Sequence, residues 1–273
     1  QKLPQVIPVA VGLLGPNGDE VRATEVLELT QAEQSFEFTG LAAKPTPSIL
    51  RDFSAPVILE HDQSNAERAF LLAHDTDPFN RWQAGRDLAQ DTLMRMILQD
   101  AAPDTDYLDG VLAVLRNDEL DPAYRALMLG LPTQSELAAA LPDRGHTPDP
   151  VAIWAAVETL RQATAQNVQD LLPRLHSEAF VDGPYSPDAE QSGKRALGSA
   201  ALALTSRLDG GAMAAEVYDT ADNMTLQLTA LSCLLRARKG EAQLDAFYEQ
   251  WQHDRLVMDK WFGLQVAMAA PEA

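Results

Sequence analysis

The segment Met224-Thr-Leu-Gln-Leu-Thr-Ala-Leu-Ser-Cys-Leu-Leu235 is apolar on nearly every side of the helix that it predicts. A second segment, Ala196–Leu204, has the same character and contains many small residues. Because such helices have almost no polar face, they must be buried on most sides by neighbouring helices. The simplest arrangement that supplies these neighbours is a row of helical hairpins with inner and outer members, which is an irregular α-solenoid.

Helix-start signals recur through the part of the chain that follows residue 61. Serine or aspartate directly precedes proline at Asp77-Pro78, Asp121-Pro122, Asp149-Pro150 and Ser186-Pro187. The first side chain of each pair can accept from free backbone N–H groups, and proline fits the first helical turn. The uneven spacing of these signals excludes a strict short repeat. The pattern predicts helices near residues 64–74, 78–100, 105–117, 122–130, 134–140, 150–180, 188–207, 211–220, 223–238, 241–253 and 256–268.

Residues 1–61 have the alternating pattern of β-strands. Val6–Leu14 is rich in β-forming residues, and the turn signal Asn17-Gly18 follows it. About three or four strands fit into this segment, whereas a sandwich usually has ~7 strands in ~100 residues. The segment therefore predicts only a partial, Ig-like β-sandwich. Further strands are predicted around Leu27 and Leu29, around Phe36 and Phe38, and over Pro56–Glu60, with an extended connection at Pro45 and Pro47.

These patterns divide the chain into two domains. We expect a partial β-sandwich domain over residues 1–61 and a truncated helical solenoid domain over residues 62–273. The fold class is therefore mostly α, with ARM/HEAT-like helical hairpins after the partial sandwich. The low number of strands, together with a first residue, Gln1, that is not methionine, leads us to expect a piece of a longer protein.

The composition excludes several partners. The chain has 40 acidic and 21 basic side chains and a net charge of −19. Nucleic acids and anionic membranes need basic surfaces, so neither is an expected partner. No uncharged run reaches the ~18 apolar residues that span a bilayer. The single cysteine, Cys233, excludes an internal disulfide and fits a reducing, cytoplasmic location.

Residue types that support metal or nucleophilic chemistry are scattered. The chain has five histidines, and no two lie three to five residues apart, so no H-E-x-x-H pair exists. Cys233 lies within an apolar stretch, which favours a buried, inert thiol. The sequence therefore predicts no catalytic, cofactor-binding or metal-ligating residue in this chain. Three histidines precede aspartate, at His61-Asp62, His74-Asp75 and His253-Asp254, where helix capping or solvated surface is a simpler explanation than a metal.

The stretch Asp104-Thr-Asp106-Tyr-Leu-Asp109-Gly110 is similar to a calcium loop. Its third aspartate and its glycine come one position late, and Leu115 stands where a bidentate glutamate is required. An aspartate-rich helix N-terminus explains this stretch better than a calcium site.

Several ordered stretches resemble the aminopeptidase N family of zinc metallopeptidases. They are Thr30–Phe38, Lys44–Leu59, Leu71–Ala84, Asp222–Thr225 and Leu256–Phe262. The resemblance extends over nearly the whole chain and is weakest around residues 100–190. It implies that this chain is the second half of a small β-sandwich followed by about the first two-thirds of a helical C-terminal domain.

The resemblance also implies a function and partners. The family binds zinc through H-E-x-x-H and a distant glutamate and binds the substrate amine through G-x-M-E-N, and no position of this chain matches these motifs. Zinc is thus expected in a catalytic domain outside this chain, with no cofactor in the chain itself. The expected partners are that catalytic domain and peptides with free N-termini. The expected role is to close and gate the chamber of a hydrolase that releases N-terminal amino acids in peptide catabolism.

Two other functions stay open at this point. One is a free-standing helical solenoid that binds a protein or peptide, since a solenoid presents an extended surface. The other is a metal phosphohydrolase built on the His-Asp pairs. The sequence does not decide whether the isolated chain has enzymatic activity.

Overall fold

The computed structural model describes residues 5–268. The chain forms two compact units, residues 1–114 and residues 115–273. The predicted domain boundary between residues 61 and 62 is a different division and stays a prediction. The outer ends of the two predicted domains, residues 1–4 and 269–273, lie outside the described residues.

The first unit begins with a three-stranded antiparallel sheet. Its strands are β1 (Ile7–Leu14), β2 (Glu20–Leu29) and β3 (Thr46–Ile49), in the order β2-β1-β3. Gly18, at φ 90°, turns the chain between β1 and β2 as the Asn17-Gly18 signal predicts. Pro47 is accommodated because β3 lies at an edge of the sheet.

Three strand predictions were wrong. Thr46–Ile49 is a strand where an extended connection was predicted, because it pairs with β1. The segments around Phe36 and Phe38 and over Pro56–Glu60 form no strand. Alternating apolar residues make a strand only where a neighbouring strand supplies hydrogen bonds, and among the described residues no strand pairs with either segment.

Two helices, α1 (Asn65–His74) and α2 (Pro78–Gln99), and most of a third, α3 (Thr105–Arg116), complete the first unit. Asp77 caps α2 by accepting a hydrogen bond from Asn80 N at 2.7 Å. α1 packs against α2, and the two helices and β1 bury a small core of Leu14, Leu71 and Ala84.

Arg51 joins the sheet to the helices. This residue is 2% exposed, and it donates to Ser48 Oγ at 2.9 Å and to Asp75 Oδ1 at 3.0 Å. It also donates to Glu20 and Thr24 of β2. Even the Cβ atom of an alanine in place of Gly12 would overlap the guanidinium, so a side chain at that point of β1 would displace Arg51 from these partners.

The second unit is helical. The helices are α4 (Pro122–Leu127), α5 (Gln134–Ala140), α6 (Pro150–Asn167), α7 (Leu172–Glu178), α8 (Ala189–Asp209), α9 (Ala212–Thr220), α10 (Met224–Arg236), α11 (Glu241–Trp251) and α12 (Arg255–Met268). α8 contacts α4, α6, α7, α9 and α10, while α6, α8, α10 and α12 contact one another in succession as one layer of alternate helices. This arrangement agrees with the predicted ARM/HEAT-like hairpins.

Most predicted helices agree with these bounds, and two differences have local causes. The single helix predicted over residues 150–180 is broken between α6 and α7 by a short 3-10 turn, Gln169–Leu171. Pro173 has no N–H to continue an α-helical ladder, so it begins a new helix there. The Ser186-Pro187 signal lies two residues before the actual N-cap of α8, which is Asp188.

The two nearly all-apolar segments are buried as predicted. Thr225 is the only exposed residue of α10, and Ala203 is the only exposed residue of the Ala196–Leu204 segment. Small residues let α8 approach its neighbours closely: the Cβ position at Gly193 lies 3.4 Å from the backbone nitrogen of Ala123 in α4.

Substitution of Gly193 tests this close packing. The branched side chain of Gly193→Val would overlap the first turn of α4, and we expect a loss of ~1–3 kcal/mol in the free energy of unfolding. Ala203→Val places the same side chain on the exposed side of the same helix and should cost no more than ~0.7 kcal/mol. Urea unfolding of both variants measures the difference, and equal losses would contradict close packing at Gly193.

Substitution of Arg125 in α4 tests how much a buried arginine contributes to the stability of the second unit. It is 2% exposed, donates to Glu178 Oε2 at 2.7 Å, and also donates to the carbonyl oxygen of Leu115. Arg125→Met leaves both acceptors without this donor, so we expect a loss of ~3 kcal/mol. Arg174→Gln is the control, because Arg174 also bonds Glu178 but is largely exposed. If thermal unfolding shows comparable losses of stability for the two variants, the burial of Arg125 does not determine its contribution to stability.

The pH dependence of stability tests an ion pair that joins the layer of alternate helices. Glu158 of α6 pairs with Arg207 of α8 and Arg236 of α10. Burial alone would raise the pKa of Glu158, but these arginines outweigh it and hold the pKa below its usual value of 4.5. The contribution is therefore present above pH ~4.5 and is lost as the pH falls through the lowered pKa. The stability difference between the wild type and Glu158→Gln should shrink over that range, and a difference that grows on acidification would contradict it.

Candidate functional site

The second unit contains a cavity of about 440 Å³. Its walls come from the end of α7, the loop at residues 180–187, the middle of α8 and the junction between α9 and α10. Most of the lining is apolar and includes Phe180, Leu202, Val217 and Leu226. A cavity of this size and character can hold a small apolar group or an apolar side chain.

Arg195 is the main charged group in this wall, and its hydrogen bonds hold the loop. It is 6% exposed and donates to Ser186 O at 2.6 Å and to Gln191 Oε1 at 3.0 Å. Its guanidinium carbon lies 4.5 Å from the ring centroid of Tyr185, a cation–π contact. The residue therefore fixes the shape of the cavity through the 180–187 loop.

His176 is another titratable residue in the wall of this cavity. Its Nε2 atom lies 2.9 Å from Thr205 Oγ1. Burial lowers the pKa of His176 against an opposing effect of Asp209, which favours the neutral form of the ring. Asn223, also in the wall, is used to cap α10. These groups can bind a polar atom of a ligand, but they do not form a nucleophile–base pair.

The first unit has its own cavity, of about 340 Å³, beside an exposed apolar strip. Phe53 is 66% exposed and Ile58 is 92% exposed, with Val57 and Leu59 partly exposed beside Ile58. We call Phe53 and Val57–Leu59 the apolar strip. Its residues also line the cavity, except Ile58. Strips of this kind on a folded unit are typical of surfaces that contact another protein.

The backbone that presents Phe53 is strained. Leu50, Asp52 and Phe53 have φ values of 61°, 54° and 52°, which non-glycine residues rarely adopt. Phe53 stacks on Phe79 of α2, with ring centroids 3.7 Å apart. The strand predicted over Pro56–Glu60 covers part of the strip, so the sequence analysis did not predict an exposed apolar surface there. The apolar run Pro56-Val-Ile-Leu was the signal in the sequence that could have indicated this surface.

The remaining chemical motifs are dispersed or serve the helices. Among residues 5–268, no group of three or more His, Cys, Asp and Glu residues is arranged to hold a metal ion. Asp104 accepts from Asp106 N at the start of α3 and pairs with Arg95. Burial raises the pKa of the Cys233 thiol, so it stays protonated. The predicted lack of catalytic, cofactor and metal residues stays a prediction.

His61, His74 and His253 belong to different parts of the fold. His61 lies in the irregular segment before α1 and lines the cavity of the first unit. His74 ends α1, next to Phe70. His253 precedes α12.

Within the part of the chain that the structure describes, no helix is both long and apolar enough to cross a membrane.

Two family models match the chain. The model described as DUF3458_C, a domain of unknown function with ARM repeats, matches residues 65–273. The model described as DUF3458, a domain of unknown function with an Ig-like fold, matches residues 1–62. These matches and the structure confirm the predicted fold class.

Curated relatives named aminopeptidase N are similar over nearly the whole chain. The protein from Caulobacter vibrioides is 36% identical over 272 residues, which is 97% of this chain and 31% of the relative. The protein from Escherichia coli is 30% identical, over 99% of this chain and 32% of the relative. The chain thus spans about a third of the length of these relatives.

A solved structure shows the same fold. The crystal structure of Legionella pneumophila aminopeptidase A in complex with aspartic acid matches 96% of this chain and 32% of that chain, with a TM-score of 0.78 and 24% identity. The resemblance to the aminopeptidase N family is therefore confirmed. The chain belongs to the DUF3458_C family of ARM-repeat domains, with an Ig-like DUF3458 domain before it, and it corresponds to the C-terminal part of an aminopeptidase N.

Proposed function

We propose that this chain is the non-catalytic region of a zinc-dependent aminopeptidase that releases N-terminal amino acids from peptides, and that it closes and gates the catalytic chamber. The observation that carries this proposal is the 36% identity to aminopeptidase N over 97% of the chain. The same match covers only 31% of that relative, so the proposal assigns the chemistry to the remaining part.

Zinc and catalysis belong, in this proposal, to a catalytic domain outside the chain. A zinc ion there would activate water for attack on the peptide bond. The whole protein would then be a hydrolase of peptide catabolism, and we propose a cytoplasmic location for it. The role of the present residues is to bound the space that substrates enter.

The arrangement of helices suits a gating wall. Successive alternate helices α6, α8, α10 and α12 contact one another, and stacked hairpins of this type offer an extended surface. Such a wall would admit peptides with free N-termini and exclude folded proteins. The net charge of −19 would favour entry of a cationic N-terminus over that of an anion.

The apolar strip of the first unit supports contact with a catalytic domain. Ile58 is 92% exposed, and burying a side chain of this size contributes ~1.5–3 kcal/mol. A neighbouring domain that covers Phe53 and Ile58 would remove the strip from water. The strip is therefore our proposed contact surface for the catalytic domain.

A second candidate function is a free-standing helical module that binds peptides. The cavity of about 440 Å³ in the second unit favours it, because its lining combines apolar side chains with Asn223 and His176. This candidate requires that the isolated chain bind peptides without a catalytic domain.

A chimera distinguishes the two candidates. We would replace the matched third of Caulobacter vibrioides aminopeptidase N with this chain. We expect the chimera to release N-terminal residues from short peptides, to lose this activity on zinc chelation, and to leave folded proteins intact. A folded but inactive chimera, together with peptide binding by the isolated chain, would favour the free-standing module.

Two variants of the chimera test the contact surface. Ile58→Ser should weaken the chimera's stability by ~2 kcal/mol because it removes an apolar contact with the catalytic domain. The same change in the isolated chain should have almost no effect, since Ile58 is exposed there. Ile58→Val keeps most of the contact and serves as the control. Equal effects of Ile58→Ser in the chimera and in the isolated chain would contradict the proposed contact.

A further inference from the structure

Three arginines converge on one carboxylate in the second unit. Arg161 of α6, Arg207 of α8 and Arg236 of α10 each place a guanidinium nitrogen 2.9 Å from an oxygen of Glu158. We call these four residues the Glu158 cluster. Because α6, α8 and α10 are successive members of one layer, the cluster exists only in the assembled unit.

The cluster has an excess of positive charge. Three arginines and one glutamate give a local charge of +2, within a chain whose net charge is −19. A second network in the same unit is balanced, since Arg125 and Arg174 pair with Glu178 and Asp118. Among residues 5–268, the Glu158 cluster therefore has two more cations than anions.

The arginines also have spare hydrogen-bond donors. A guanidinium carries five N–H groups. Among the described residues, Arg161 and Arg207 each have one hydrogen bond, to Glu158. Arg236 has two, to Glu158 and to the sulfur of Met268 at 3.3 Å. Sulfur is a weak acceptor, so it does not replace an anionic partner.

The cluster has a more buried part, which we call the floor, and a more exposed part, which we call the rim. Glu158 and Arg207 form the floor and are 18% and 11% exposed. Arg161 and Arg236 form the rim and are 39% and 33% exposed. A small anion can therefore reach the rim from solvent. Burial lowers the pKa of Arg207, and the neighbouring arginines add to this effect against the opposing charge of Glu158. A second anion would relieve the repulsion among the three cations.

We propose that the Glu158 cluster is a binding site for a second carboxylate, either a small organic acid or the carboxylate of a peptide. Arginine pairs with the two oxygens of a carboxylate through parallel N–H bonds. A single negative charge is attracted locally and is repelled by the acidic chain less strongly than a polyanion would be. This site is independent of the proposed function, since the isolated chain contains every residue that forms it.

Calorimetric titration of the full chain at low ionic strength tests the site. The probes are N-acetylglycylglycine, its amide N-acetylglycylglycinamide, and acetate. We expect the acid to bind at least tenfold more tightly than the neutral amide, because only the acid forms charge-assisted hydrogen bonds. Equal affinity for the acid and its amide would overturn the proposal. Acetate separates the two possible sources of the carboxylate. If acetate binds as tightly as the acetylated dipeptide, the site is assigned to small organic acids. If acetate binds more weakly, the site is assigned to peptides.

Two rim variants connect binding to the cluster. Arg236→Gln and Arg161→Gln should each weaken binding of the acid by about tenfold, since each removes a charged donor. Arg174→Gln is the matched control, because it removes the same charge from an exposed arginine in the balanced network. We expect its affinity to stay within twofold of the wild type. An equal loss in all three variants would assign the binding to general charge and overturn the site.

A third variant removes the negative charge of the cluster instead of a positive one. If Glu158 and the arginines formed only a structural ion pair, this change would not raise the affinity for the acid. Glu158→Gln removes the anion that competes for the three arginines, so we expect affinity for the acid to rise at least threefold. Unchanged or weaker binding by a folded Glu158→Gln variant would overturn the proposal. If this variant does not fold, the rim variants still decide the question.

Discussion

The close approach of helices to α8 is the constraint on which the second unit depends. α8 contacts five other helices, and it can do so because small residues leave room at the contacts, as Gly193 does beside Ala123. Its neighbours are fixed by this packing: α7 and α9 flank it in sequence, while α6 and α10 meet it side by side. The layer of alternate helices, and every side-chain arrangement that crosses it, follows from this one buried helix.

Buried arginines connect elements that apolar packing alone would leave loosely joined. Arg51 links the sheet to the end of α1 in the first unit, and Arg125 links α4 to α7 in the second. Arg207, which is partly buried, does the same for α6 and α8. In a chain with about twice as many acidic as basic side chains, a buried arginine such as Arg51 or Arg125 has carboxylates nearby to pair with. Among the ion-pair networks of the described residues, the cations outnumber the carboxylates at Glu158.

The sequence predicted the helices well because their signals are local. Asp77, Asp121 and Asp149 cap the helices that their Asp-Pro pairs indicated. Strands were predicted less well, since Pro56–Glu60 has a strand-like pattern but no neighbour to pair with. The Glu158 cluster could not be predicted from the sequence at all. Arg207 and Arg236 lie 49 and 78 residues after Glu158 along the chain. They meet Glu158 only because α6, α8 and α10 are adjacent.

The succession of contacts along the layer also has a mechanical consequence. α12 contacts mainly α10 and α11, whereas α8 is held by five helices. In an arrangement where each helix pair depends on the next, a pulling force applied at the C-terminal end would detach α12 and α11 before it reaches α8. The unit would then extend in discrete steps under load, and resistance to the force would rise at α8, where several helix contacts must break together.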